Sequence, residues 1–166
     1  MSWISRIFFR KVDREIKRIN KRSRIALHAI VYEENLIYRI ERILETDKDT
    51  AKIKKEVISA KSVKRRFANH INQFIKHSRL IHGVFYPHDK EMKNLIDGLE
   101  FGKGMIKGYW NEVFLNLDYD GMKNVIPIYL RLLKRMRRRI KIIKEIESRE
   151  EDKVEAEKEI LAEKAA

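Results

Sequence analysis

The chain holds 166 residues, 38% of them charged, with two prolines, six glycines, no cysteine and a formal net charge of +13. That length suits one ordinary domain with a real core, the composition suits long helices rather than turn-rich sheets, and the lack of cysteine excludes a disulfide framework and a Cys-based zinc site. No apolar run approaches the roughly 18 to 20 residues that cross a bilayer, so the chain is not expected to span a membrane; the lack of cysteine is compatible with a cytoplasmic protein, peripheral at the membrane.

The first segment reads MSWISRIFFRK. Arg6 interrupts its apolar part and positive charge follows it, the reverse of a signal peptide, so the segment is expected to be retained. On a helix Trp3, Ile4, Ile7, Phe8 and the stem of Lys11 share one side, with Ser2, Arg6, Phe9 and Arg10 around the other. Such a helix suits a membrane interface, aromatics inserted and cations facing lipid phosphates. The same apolar side also suits folding onto a bundle, or holding a partner or second copy.

Residues 12–45 keep a stripe in steps of three and four, Val12, Ile16, Ile19, Ser23, Ala26, Ile30, Glu33, Ile37, Ile40 and Leu44, which predicts a long amphipathic helix. TDKDT at 46–50 supplies a turn, with Thr46 or Asp47 as N-cap. A second stripe runs Ile53, Val57, Ala60, Lys64, Phe67, Ile71, Phe74, Ser78, Ile81, until Gly83 and Pro87 break the pattern. Met92, Leu95, Ile96, Leu99 and Phe101 mark a third helix that runs through or breaks at GKGMIKG. The last is expected to start near Met122, after the turn DYDG, with Pro127 in or near its first turn.

The expected fold is therefore all-α, a long antiparallel helical hairpin within a four- or five-helix bundle. An elongated form that completes its core by oligomerising is the alternative. The single helical domain covers 1–146, including the amphipathic segment 1–11. Residues 147–166 read as an acidic helical or frayed tail.

Catalytic and metal-binding constellations are weak. Four histidines fall within 19 residues, at 70, 77, 82 and 88, but His70 and His77 lie ~10.5 Å apart along a helix, and no Glu-x-x-His pair is present. NLDYDG resembles the start of a calcium loop, yet Pro127 stands where the closing Glu belongs, so Asp118 or Asp120 is better read as a helix cap. The glycines of DGLEFGKGMIKG match no phosphate loop and follow no strand; the four-residue spacings of Gly98 and Gly102, and of Gly104 and Gly108, suit helix packing or a hinge. Glu33 and Glu34 read as a solvated pair, and no nucleophile-base set stands out. The expectation is a non-enzyme without cofactor or metal.

Charge is the stronger signal. Residues 1–86 carry net +12, residues 87–144 net +6 and residues 145–166 net −5. No acidic residue stands between Glu56 and Asp89, where Lys61, Lys64, Arg65, Arg66, Lys76 and Arg79 lie. The last helix adds Lys134, Arg135, Arg137, Arg138, Arg139 and Lys141. Unbalanced cations of this density favour an anionic partner, although Lys and Arg also fill the solvent side of ordinary amphipathic helices. The leading expectation is a helical scaffold held on an anionic membrane by Trp3, Ile4, Ile7, Phe8, Arg6, Arg10 and Lys11 together with the basic hairpin. The alternative is an RNA- or DNA-binding helical protein gripping backbone phosphates. An acidic protein partner, a homo-oligomer, or the protein's own tail covering the basic face completes the set.

Overall fold

The computed structural model describes residues 18–47 and 49–165 continuously, and before them Trp3, Ile4, Arg6, Ile7, Arg10, Lys11 and Arg14, each helical and each exposed. Phe8, Phe9, Val12 and Ile16 lie outside the described residues. The elements are α1 (Ile19–Arg42), a π-helical turn (Ile43–Asp47), α2 (Thr50–Ser59), α3 (Lys61–Phe85), α4 (Lys90–Tyr109), a second π-helical turn (Trp110–Phe114) and α5 (Tyr119–Ala165). Among the described residues there is no strand. The protein is an all-α bundle of long packed helices.

Period explains α1, whose buried residues Ile19, Ser23, Ala26, Ile30, Glu33, Ile37 and Ile40 are its three-four stripe. Its hydrogen bonding runs on past Arg42 into the π turn, where Thr46 Oγ1 donates to Arg42 O at 2.6 Å. Thr46 and Asp47 are consequently still wound, and the expected cap shifts to Asp49, which accepts from Ala51 N at 3.0 Å and Lys52 N at 3.4 Å.

Helices α2 and α3 form one bent arm. At the joint, buried Ala60 donates its N–H to Glu56 O and Val57 O, and Lys64 N returns to Ala60 O at 2.9 Å. Gly83 does not stop α3, which closes at Phe85 with Tyr86 N donating to His82 O just before Pro87. Asp89 caps α4 through Met92 N at 3.1 Å.

The third helix runs through its glycines. A Cβ on Gly102 would stand 2.9 Å from Met136 Cγ and one on Gly98 would meet the Arg139 guanidinium, whereas Gly104 and Gly108 face nothing within 4 Å. The first pair thus lets α4 close on α5 and the second does not serve packing. Phe101, placed with the apolar stripe by spacing, is 65% exposed, because α4 buries Met92, Ile96, Leu99 and Ile106 instead. The last helix starts three residues earlier than expected. Asp118 caps it by accepting from Gly121 N at 2.9 Å, and a Cβ at Gly121 would lie 2.3 Å from that carboxylate. Pro127 therefore falls inside α5, on its exposed side.

The arms alternate in direction. Helix α1 packs on α3 and α5, and α4 packs on α5 and α3. Their shared core includes Ile37, Phe74, Ile96, Phe114, Leu133 and Ile140. Helix α5, at 47 residues, is ~70 Å long against ~36 Å for the 24 residues of α1. Its C-terminal part projects beyond the bundle, at the end where α1 begins and α3 finishes.

Candidate functional site

Lys64 falls on the apolar stripe of α3, so the helix turns its ammonium inward rather than toward solvent. Burial penalises the charge and lowers its pKa, while Glu33 opposes that shift. Nζ donates to Glu33 Oε2 of α1 at 3.0 Å and to the Tyr129 hydroxyl of α5 at 2.6 Å, and that hydroxyl donates to the same Glu33 oxygen at 2.8 Å. Burial and the neighbouring carboxylate raise the Tyr129 pKa well above its ordinary value. Three helices are thereby tied by one buried charge pair. Glu33 is 0% exposed rather than solvated, and its neighbour Glu34 receives Arg137 Nη2.

Aromatic rings close the rest of the ammonium's surroundings. It lies 4.8 Å from the Trp110 ring centroid, 5.3 Å from that of Tyr129 and 5.5 Å from that of Phe67. The π turn makes this possible: Leu115 N bonds Trp110 O, a five-residue step that puts Trp110 and Phe114 in a stack with centroids 5.0 Å apart. Phe114 meets Tyr129 edge-on at 5.7 Å. Beyond the π turn the chain reaches Leu117, whose φ of 52° is left-handed, a conformation that costs a leucine about 1–2 kcal/mol. It swings the chain directly into the Asp118 cap.

Outside this cluster runs a groove between the α2–α3 arm and α4. One lobe, about 340 Å³, is lined by Lys64, Arg65, Phe67, Lys103, Ile106 and Lys107 among others, and a second of about 510 Å³ by Lys54, Val57, Ile58, Lys61 and Leu115. The lobes share Lys64, Trp110 and Asn111. Among the described residues no Asp or Glu lines either lobe. The result is an apolar floor under a positive rim.

The twelve basic residues singled out by sequence separate into two sets. Lys61, Arg65, Arg66, Lys76, Lys134, Arg135, Arg138 and Lys141 are exposed. The other four serve the fold, Arg79 from an exposed position. Lys64 braces the core, Arg79 pairs with Asp97 at 3.1 Å and with Glu100, Arg137 pairs with Glu34, and Arg139 lies over Gly98 and donates to Asn94 O at 3.0 Å. In the first segment Trp3, Ile4 and Ile7 are 75%, 73% and 48% exposed, and Arg6, Arg10 and Lys11 are exposed beside them. Phe8 lies outside the described residues.

Spacing missed the contribution of α4, Lys103 and Lys107, to the groove, although KGMIKG at 103–108 held the signal. It also missed Glu147. This carboxyl is 2% exposed, and burial pushes its pKa up to about 7 against the opposing Ser78 hydrogen bond and Arg22 charge. Among the described residues no three His, Cys, Asp or Glu side chains are placed to hold a metal ion, and no helix is long and apolar enough to cross a membrane. No protein-family model, curated protein or solved structure matches the chain.

Proposed function

We propose that this protein is a non-enzymatic helical scaffold that binds the anionic, cytoplasmic face of a membrane. The observation that carries the reading is the exposure of Trp3, Ile4 and Ile7 beside the exposed Arg6, Arg10 and Lys11, all in helical conformation. Removing each such apolar side chain from water is worth about 1.5–3 kcal/mol when complete, and each cation near an anionic leaflet adds about 1 kcal/mol. The exposed Lys61, Arg65, Arg66 and Lys76 extend the positive surface along the hairpin.

Sedimentation with phosphatidylserine-containing and purely neutral vesicles tests the reading, comparing the intact chain with a deletion of residues 1–11. The intact chain is expected to pellet with anionic vesicles alone, and the deletion is expected to bind at least tenfold more weakly. Failure of the intact chain to pellet with either vesicle refutes the proposal.

One arrangement favours a second reading, nucleic-acid binding. Lys134, Arg138 and Lys141 are exposed at i, i+4 and i+7 on α5, a stripe suited to successive backbone phosphates. That reading requires binding that falls steeply with salt, weakens on Lys134→Glu with Arg138→Glu, and survives removal of residues 1–11.

A further inference from the structure

We infer that the groove between the α2–α3 arm and α4 receives the acidic C-terminal helix of a second copy of this chain. The groove presents Lys54, Lys61, Arg65, Lys103 and Lys107 over an apolar floor, with no acidic residue among the described ones that line it. Its rim also leaves Ile58 and Leu115 exposed, at 67% and 54%. A solvated basic face has no need of such side chains. An amphipathic acidic helix matches both features.

That helix is present in the same molecule. Residues 145–166 carry net −5, and α5 stays helical to Ala165. With 100° between successive residues, Asp152, Glu155, Glu159 and Glu163 fall within an arc of about 80°, with Ile160 beside it. Ile160 and Leu161 are 51% and 49% exposed. Acidic side chains against the lysine rim and Ile160 against Ile58 and Leu115 would satisfy the two surfaces together.

The chain cannot make this contact with itself. Tyr129 lies beside Lys64 at the groove, and from Tyr129 to Ile160 the unbroken α5 advances 31 residues, ~46 Å, toward the opposite end of the bundle. The occupant is therefore another copy. Because the donor and acceptor surfaces differ, the contact is heterologous and repeats head to tail into a ring or an open filament.

Analytical ultracentrifugation of the full chain tests the contact. At about 0.1 M salt the mass is expected to rise with concentration to at least twice the monomer, and at about 1 M, where the screening length falls to about 3 Å, to return to monomer. A groove variant, Lys61→Glu with Arg65→Glu and Lys107→Glu, and a tail variant, Asp152→Lys with Glu159→Lys and Glu163→Lys, are each expected to be monomeric with unchanged helicity. Mixed, they restore the series, since each groove now opposes the other's tail. Each variant moves the net charge of +13 by six, to +7 and +19, so bulk attraction between them does not explain rescue. A monomeric wild type, association surviving in either variant alone, a mixture that stays monomeric, or association abolished by deleting residues 1–11 overturns the inference. Neither vesicles nor nucleic acid are needed, so the result is separable from the membrane reading.

Discussion

Two carboxylates are buried toward opposite ends of the same bundle, and their surroundings differ in one respect. Glu33 and Glu147 are 0% and 2% exposed, so neither carboxyl is solvated by bulk water. Glu33 receives a lysine ammonium and a tyrosine hydroxyl at 3.0 and 2.8 Å. Glu147 has the Ser78 hydroxyl and the charge of Arg22, and burial outweighs them. A buried acid whose partners are weaker than its desolvation drifts toward neutrality, as Glu147 does. Removing the cation from the first site is the harshest test of that difference. Lys64→Met leaves the Glu33 carboxyl buried with the Tyr129 hydroxyl as its remaining donor and no cation against it, and urea denaturation is expected to show a loss of about 3–5 kcal/mol. The double change Lys64→Met with Glu33→Leu is expected to recover most of it, because an apolar pair of similar volume is close to neutral. A loss under 1 kcal/mol for the single change would show that water reaches Glu33.

At the other end the comparison is sharpened by pH. The folded pKa of Glu147 is raised from 4.5 to about 7, so between those values the folded state holds a proton that the unfolded chain has released. Stability at this site is therefore fully present below about pH 4.5 and declines as pH rises to about 7, by about 3 kcal/mol at most. Glu147→Gln replaces the titrating group with a permanently neutral one and should flatten that part of the stability profile, leaving the variant more stable than wild type at pH 7.5. Parallel profiles for the two proteins would mean that Glu147 is charged throughout.

Both sites were half visible in the sequence. The helical stripes assigned the buried faces of α1 and α3 almost residue by residue, and Glu33 and Lys64 stood on them, each a charge at a core position of neighbouring helices. What period cannot reveal is which helix lies opposite, so Tyr129, the aromatic enclosure and the reading of Glu33 as buried required the packing itself. Glu147 continues the stripe of Ile140 and Ile143 by one more step, but a carboxylate there looks like the end of an apolar face. The basic clusters illustrate the same limit. Helical spacing predicts Arg79 and Arg137 as cations on a surface, whereas Asp97, Glu100 and Glu34, which occupy them, come from other helices. The cap of α2 was misplaced by two or three residues because a π turn extends α1, whereas Asp118 was one of the two residues read as the cap of α5 and only the start of that helix was set too late. Phe101 was misassigned since α4 turns Met92, Ile96, Leu99, Gly102 and Ile106 inward, and the glycine among them carries no apolar signal.

Arg79 supplies the mildest test, at a site where solvent replaces burial. It makes two ion pairs, to Asp97 at 3.1 Å and to Glu100, with all three side chains 42–52% exposed. Counted as contacts these exceed the single Lys64–Glu33 pair, yet water solvates each partner when the other is removed. Arg79→Ala is accordingly expected to lower stability by about 0.2–1 kcal/mol, and the loss should shrink further at high salt, while the Lys64→Met loss hardly changes. Denaturation of both variants at about 0.1 and 1 M salt separates the cases. If the Arg79 loss matched that of Lys64 and ignored salt, number of pairs rather than burial would govern the stability of charge in this bundle.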